Sequence, residues 1–139
     1  MAQNEEIVVA ISGGFDPIHM GHIRLIKEAS KLGTKLIVIL NTDEFLLHKK
    51  GYVFMPLEER KGVLESIKGV SEVVVSLDKD LTVAESLRYY KPNIFANGGD
   101  RTEAVPEEDV ACGEIGCKQV FGVGGSKMRS SSKLVERLR

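Results

Sequence analysis

Several features that would settle the class of this chain at once are missing. It has only two cysteines, and neither sign of charge prevails: 19 Lys+Arg stand against 20 Asp+Glu, for a net charge of -1. No apolar run nears the roughly 18–20 residues that a bilayer span needs, and the opening MAQNEE has no basic region. A cytoplasmic chain without membrane contact is therefore expected. With so little net charge there is no general field to gather nucleic acid, so no nucleic-acid partner is expected either. Cations that meet an anionic ligand must instead be collected locally. Cys112 and Cys117 have four residues between them and no other Cys or His nearby. This speaks against a disulfide framework and against zinc, and both read as packing thiols. No repeat, linker or low-complexity tract appears, and no Ser-His-Asp set or acid/base pair of carboxylates stands out. What remains is 139 residues, 42% of them apolar, enough for one domain over 1–139 with a real core.

The most informative stretch comes early. An apolar run from Ile7 to Ile11 stops at Ser12-Gly13-Gly14, followed by Phe15-Asp16-Pro17 and by His19 and His22 around Gly21. The spacing then predicts an amphipathic helix over 20–32. A buried strand, a Gly-rich turn and a helix N-terminus together make a phosphate-binding layout. Glycine lets the backbone approach a ligand, and the free N–H groups at the helix start favour anions. The two histidines add donors on that side. They could also be metal ligands, but no Cys or carboxylate stands at ligand spacing.

Further along, 35–40 is nearly continuous in apolar residues, as in a parallel strand covered on both faces. Residues 44–55 read as a loop or short helix, and Pro56 suits a helix N1 position with Glu58 and Glu59 behind it. Strands are predicted at 70–76, 93–96 and 118–121. Thr82 to Glu85 has capping-box spacing and opens a helix to Tyr90, and a short acidic helix follows Pro106. A last short helix is expected over 132–138. Strands alternating with helices imply a parallel sheet, whose ligands lie beyond the strand carboxyl ends. The distinctive clusters, 12–22, 41–43, 97–101 and 122–132, all fall at such ends.

The segment GGFDPIHMGH, residues 13–22, resembles the G-x-F-D-x-x-H-x-G-H signature of the cytidylyltransferase-like superfamily of nucleotidyltransferases. The likeness extends along the chain, most closely to the ADP-heptose adenylyltransferase domain and to glycerol-3-phosphate and phosphoethanolamine-type cytidylyltransferases. It implies an α/β fold: a single Rossmann-like domain with a five-stranded parallel sheet in order 3-2-1-4-5, flanked by helices. A nucleoside triphosphate, CTP or ATP, would lie over Gly13, Gly14, Phe15, Asp16 and Gly21, with His19 and His22 holding its phosphates. Lys49-Lys50-Gly51 matches a lysine-bearing loop that closes over the triphosphate. Leu57-Glu58-Glu59-Arg60 matches a helix whose arginine reaches the acceptor or the β-phosphate. Gly98-Gly99-Asp100 resembles a turn that meets ribose and base.

The tail KMRSSSKLV resembles the superfamily's Ser/Thr-rich signature, which would place Arg129, Ser130, Ser131 and Ser132 on the leaving phosphates. In the glycerol-3-phosphate pattern an arginine stands five residues before the first of these serines. Here that place is Gly125, so Lys127 or Arg129 must substitute or the contact is missing. Mg2+ carried by the nucleotide is implied, with Asp16 or Asp100 as its protein ligand, and so is a homodimer.

Transfer onto a phosphorylated acceptor needs no general base, because the acceptor phosphate is already anionic. It needs cations, amide donors and hydroxyls around two charged groups held in line. The expected reaction moves CMP or AMP onto the phosphate or phosphonate of a small acceptor and releases pyrophosphate. A nicotinate- or pantetheine-type adenylyltransferase and a non-catalytic nucleotide sensor remain as alternatives.

Overall fold

The computed structural model describes residues 5–98 and 105–125. Strands and helices alternate: β1 (Val8–Gly13), α1 (Met20–Ser30), β2 (Lys35–Leu40), α2 (Asp43–Lys50), α3 (Leu57–Glu65), β3 (Glu72–Val75), α4 (Ala84–Tyr90), β4 (Ile94–Gly98), α5 (Pro106–Ile115) and β5 (Lys118–Val123). All strand pairs are parallel, in the order β3-β2-β1-β4-β5. This is the expected fold. β1 and β2 pair in register from Val8–Lys35 to Gly13–Leu40, and their apolar runs are buried on both faces. Val9, Ile11, Leu36, Val38 and Leu40 pack under Ile26 and Ala29 of α1 and Leu64 of α3. Ala10, Ile37 and Ile39 point the other way, against Ala84 and Leu87 of α4 and Ala111 and Cys112 of α5. Strand alternation thus divides one sheet between two cores. The turn after β1 is left at the carboxyl edge, beside the place where the strand order reverses.

Of the two readings of residues 44–55 the short helix holds, and the loop placement of Lys49-Lys50, the N1 place of Pro56 and the Thr82 capping box are corrected. Residues 43–50 are helical: the Thr42 hydroxyl caps α2 by accepting from the Phe45 amide at 3.0 Å, and Gly51 closes it at φ 85°. Lys49 and Lys50 therefore sit in a last helical turn and not on a loop. Pro56 is the N-cap of α3, one place before N1. The Thr82–Glu85 box does not form, because the Asp78 carboxylate takes the amides of Glu85 and Ser86 at 2.8 and 2.9 Å. A carboxylate is the stronger acceptor, and the Thr82 hydroxyl donates to Asp80 instead. The helix expected over 132–138 lies outside the described residues. No helix among the described residues is long and apolar enough to cross a membrane.

Cys112 and Cys117 are free and buried, as expected of packing thiols. Burial pushes the Cys117 thiol up to about 12. An unfolded chain loses that proton near the ordinary thiol value while the native one keeps it, so this contribution to stability falls as pH rises from about 8.5 towards 12. Alkylation at pH 8 should be slow for the native protein and complete on unfolding, as counted by mass spectrometry.

Candidate active site

The turn after β1 is tightly filled. A Cβ at Gly14 would stand 2.7 Å from a Leu46 methyl, and one at Gly13 would stand 3.2 Å from the Phe15 ring. Phe15 itself takes φ 51°, rare for a residue with a side chain, and buries its ring edge-on to His22 at 4.8 Å. α1 then opens on its histidines. His19 is the N-cap: its Nδ1 accepts from the Gly21 amide at 3.1 Å, while Nδ1 of His22 accepts from the His19 amide at 3.1 Å. This is a capping box made by two imidazoles. A ring nitrogen that accepts carries no proton, so each neutral ring holds its proton on Nε2 and presents that N–H as a donor. The rings stack at 3.9 Å with 23° between their planes.

Gly21 is what lets this pair form, since a Cβ there would stand 2.9 Å from Cε1 and 3.1 Å from Nδ1 of His19. Gly21→Ala should therefore separate stability from activity. Alanine is the better helix former by about 1 kcal/mol, yet it pushes the His19 ring aside. The melting temperature should hold while turnover falls, by up to about 100-fold for a displacement near 1 Å.

Beside the turn lies a polar knot. Asp16, 1% exposed, accepts from the Phe54 amide on Oδ2 at 2.7 Å and from the Met55 amide on Oδ1. Lys50 donates to the Asp16 carbonyl at 3.0 Å, with its ammonium 3.8 Å from Oδ2 and 4.8 Å from the Tyr52 ring centre. Arg60 departs most from expectation. Its side chain is wholly buried and donates to the carbonyls of Met55 (2.8 Å), Gly14 (2.9 Å) and Asn41 (2.8 Å), and to the Asp43 carboxylate (2.6 Å). Four of its N–H groups thus face the protein's own oxygens and not the cleft. Next to it, Asn41 Oδ1 is a buried acceptor with no partner among the described residues.

The structure brings Gly13, Gly14, Phe15, Asp16, His19, Gly21, His22 and Lys50 together around one turn. Lys49 points elsewhere, exposed and 5.9 Å from the Phe45 ring centre. Gly98 ends β4 at the same sheet edge. Asp100, Lys127, Arg129, Ser130, Ser131 and Ser132 lie outside the described residues. Asp16 does not fit a metal: both carboxylate oxygens already take amide hydrogens and a lysine stands alongside. No group of three or more His, Cys, Asp or Glu among the described residues could hold one. Sequence reasoning missed the amides of Phe54 and Met55, which no side-chain pattern announces. It also missed the imidazole cap, because histidine is not among the usual capping residues.

Comparison with known proteins agrees with this geometry. The Cytidylyltransferase-like family pattern matches residues 10–122. FAD synthase of Pyrococcus abyssi is 38% identical over 102 residues, covering 73% of this chain and 68% of that protein. Bifunctional protein HldE of Hahella chejuensis is 33% identical over 143 residues, 96% of this chain but 28% of its own length. Glycerol-3-phosphate cytidylyltransferase of Bacillus subtilis is 45% identical over 62 residues, 45% of this chain and 48% of that one. The crystal structure of the lipopolysaccharide core biosynthesis protein from Thermoplasma volcanium superposes with a TM-score of 0.75 at 25% identity, covering 89% of this chain and 99% of that one.

Proposed function

The chain belongs to the cytidylyltransferase-like family of nucleotidyltransferases, and from that premise we propose that it moves AMP or CMP from ATP or CTP onto the phosphate or phosphonate of a small acceptor. One domain over residues 1–139 does the work. An acceptor oxygen attacks the α-phosphorus, the bond from that phosphorus to the β-bridging oxygen breaks, and pyrophosphate leaves with the electron pair. His19 and His22 donate Nε2–H to the phosphate oxygens on which charge grows, and the amides at the start of α1 assist. Lys50 is the local cation; leaving Asp16 for a phosphate exchanges one anionic partner for another. Arg60 holds the turn and does not touch substrate. Mg2+ arrives on the triphosphate as part of the substrate, held by phosphate oxygens and not by Asp16.

The observation that carries this reading is the stacked histidine pair whose Nδ1 atoms are both engaged by backbone amides. ATP is favoured over CTP, since FAD contains an adenylate and the match to a protein named FAD synthase runs longer than the match to a cytidylyltransferase. The test is pyrophosphate release from each triphosphate against flavin, sugar and polyol phosphates and phosphonates. Tight triphosphate binding without release under any acceptor would overturn it. Light scattering on the same preparation reads whether a homodimer forms.

A further inference from the structure

Asn41 stands one residue past β2 with its backbone pinned from both sides. Its amide donates to the Gly13 carbonyl at 2.9 Å, and its carbonyl accepts from Arg60 at 2.8 Å. Arg60 also holds Gly14, so Asn41 is fixed against the histidine turn. The residue is 5% exposed, yet among the described residues neither end of its side-chain amide has a hydrogen-bond partner. A buried amide left unmatched is costly, and folded proteins keep few of them. Buried polar groups nearby on the same sheet edge are matched: Ser76 and Ser86 share a bond at 3.2 Å, and Glu108 accepts from the Val83 amide at 3.1 Å. Strand alternation says which way the Asn41 side chain is turned. Leu40 packs towards α1 and α3, while Ile37 and Ile39 face α4 and α5. Asn41 continues the ladder and shares the face of Ile39. Ser12 follows Ala10 onto that face, as Asn97 follows Phe95. The face is thus apolar in its middle and ends in small neutral polar side chains.

From this we infer that Asn41 holds a hydroxyl group of the acceptor, which makes the acceptor a polyol or sugar phosphate. The inference rests on the transferase reading and narrows its acceptor. An ionised phosphate has no donor to give Oδ1, so the partner is a hydroxyl or an N–H. A hydroxyl both donates and accepts, and rotation about the last side-chain bond offers it either end of the amide. The ribose of the triphosphate also carries hydroxyls, but charge favours the acceptor on this side. Lys50 and Arg60, the cations beside Asn41, are matched by the carboxylates of Asp16 and Asp43. A balanced neighbourhood gives a triphosphate little, whereas one phosphate monoester needs little more than Lys50 and the histidine turn. The acceptor's phosphate therefore lies over the turn, and its hydroxylated chain crosses the edge of β1 and β2 to Asn41. A site built to bond a hydroxyl discriminates against the analogue that lacks it, because the amide is then shut in unpaired.

The test uses the full chain and acceptors in matched pairs, with and without hydroxyls. One pair is glycerol-3-phosphate and propyl phosphate; the other is flavin mononucleotide and a flavin bearing a plain pentyl phosphate. The wild-type chain should prefer the hydroxylated member of the pair it uses. Asn41→Leu, of nearly the same volume, should cut that preference by about tenfold, the worth of one hydrogen bond at its upper end. The loss should fall on kcat/KM for the hydroxylated acceptor, while KM for the triphosphate and for its deoxy form keep their wild-type ratio. The melting temperature should hold or rise, since the free chain loses no hydrogen bond. An unchanged preference, or a change confined to the ribose hydroxyl of the triphosphate, would overturn the assignment. Equal loss for both members of a pair would mark Asn41 as structural and overturn it too. Should Asn41→Leu fold poorly, Asn41→Ala, which crowds nothing, carries the same comparison. If no acceptor releases pyrophosphate, the transferase reading fails by itself, and calorimetric binding of the same pairs still reads the site. Hydroxyl-dependent binding that is lost in the variant upholds it, and equal binding refutes it.

Discussion

His22→Gln should lower turnover by about 10²–10³ and leave the melting temperature nearly unchanged. The rate figure is the usual effect of removing one donor aimed at developing charge. The choice of glutamine follows from the geometry. His22 is the N3 residue of α1, and its Nδ1 accepts from the N-cap amide of His19 at 3.1 Å. Glutamine at N3 makes the same backward bond in an ordinary capping box, so the helix start survives while the Nε2–H donor goes. His19→Asn works likewise, since asparagine ranks among the best N-caps. Alanine at either position removes the cap as well and should cost about 1 kcal/mol of stability besides. Steady-state pyrophosphate release and thermal melts on the four variants separate the two jobs of each ring. If the Gln and Asn variants keep wild-type turnover while the alanine variants lose it, the imidazoles are caps alone and the assignment of roles fails.

Much of this arrangement was legible in the sequence because it is written in local signals. β2 coincides with its apolar run, the first helix starts at Met20 as expected but ends at Ser30, with Lys31 as its C-cap, before Gly33-Thr34 is reached, and the alternation of element types led to the sheet. Its strand order was reached through the resemblance of GGFDPIHMGH. What escaped notice depends on backbone atoms from distant segments. Nothing in Leu57-Glu58-Glu59-Arg60 indicates that the carbonyls of Gly14, Asn41 and Met55 converge on one point, so its arginine was expected at a phosphate. The acid Asp16 looked free for a metal because the two amides that claim it stand 38 and 39 residues later. Lys49 and Lys50 looked like one cationic unit. Neighbours on a helix point about 100° apart, and the structure sends one to Asp16 and the other over Phe45.

Arg60→Met should cost about 3–5 kcal/mol, the usual penalty for breaking a buried charged network and leaving its partners unmatched. Methionine fills much the same space but donates nothing, so the carbonyls of Gly14, Asn41 and Met55 lose their partner at Arg60. Each buried orphan costs about 1–3 kcal/mol. For a chain of this size that corresponds to a drop of roughly 10–20 °C in melting temperature. Asp43 adds little to the total, since its side chain is 44% exposed and water screens the pair. Asp43→Asn should thus be mild where Arg60→Met is severe. Arg60→Lys keeps the charge but has one nitrogen for positions now filled by three, so it should fall between them. The kinetic side tells a scaffold from a phosphate contact. Assayed well below its melting point, Arg60→Lys should lower kcat through a loosened turn and leave KM for the triphosphate within about twofold of wild type, because uniform binding is untouched. A large rise in KM with full thermal stability would mean that the guanidinium leaves its carbonyls to meet substrate, and the knot around Gly14 would then be a resting arrangement that catalysis dismantles.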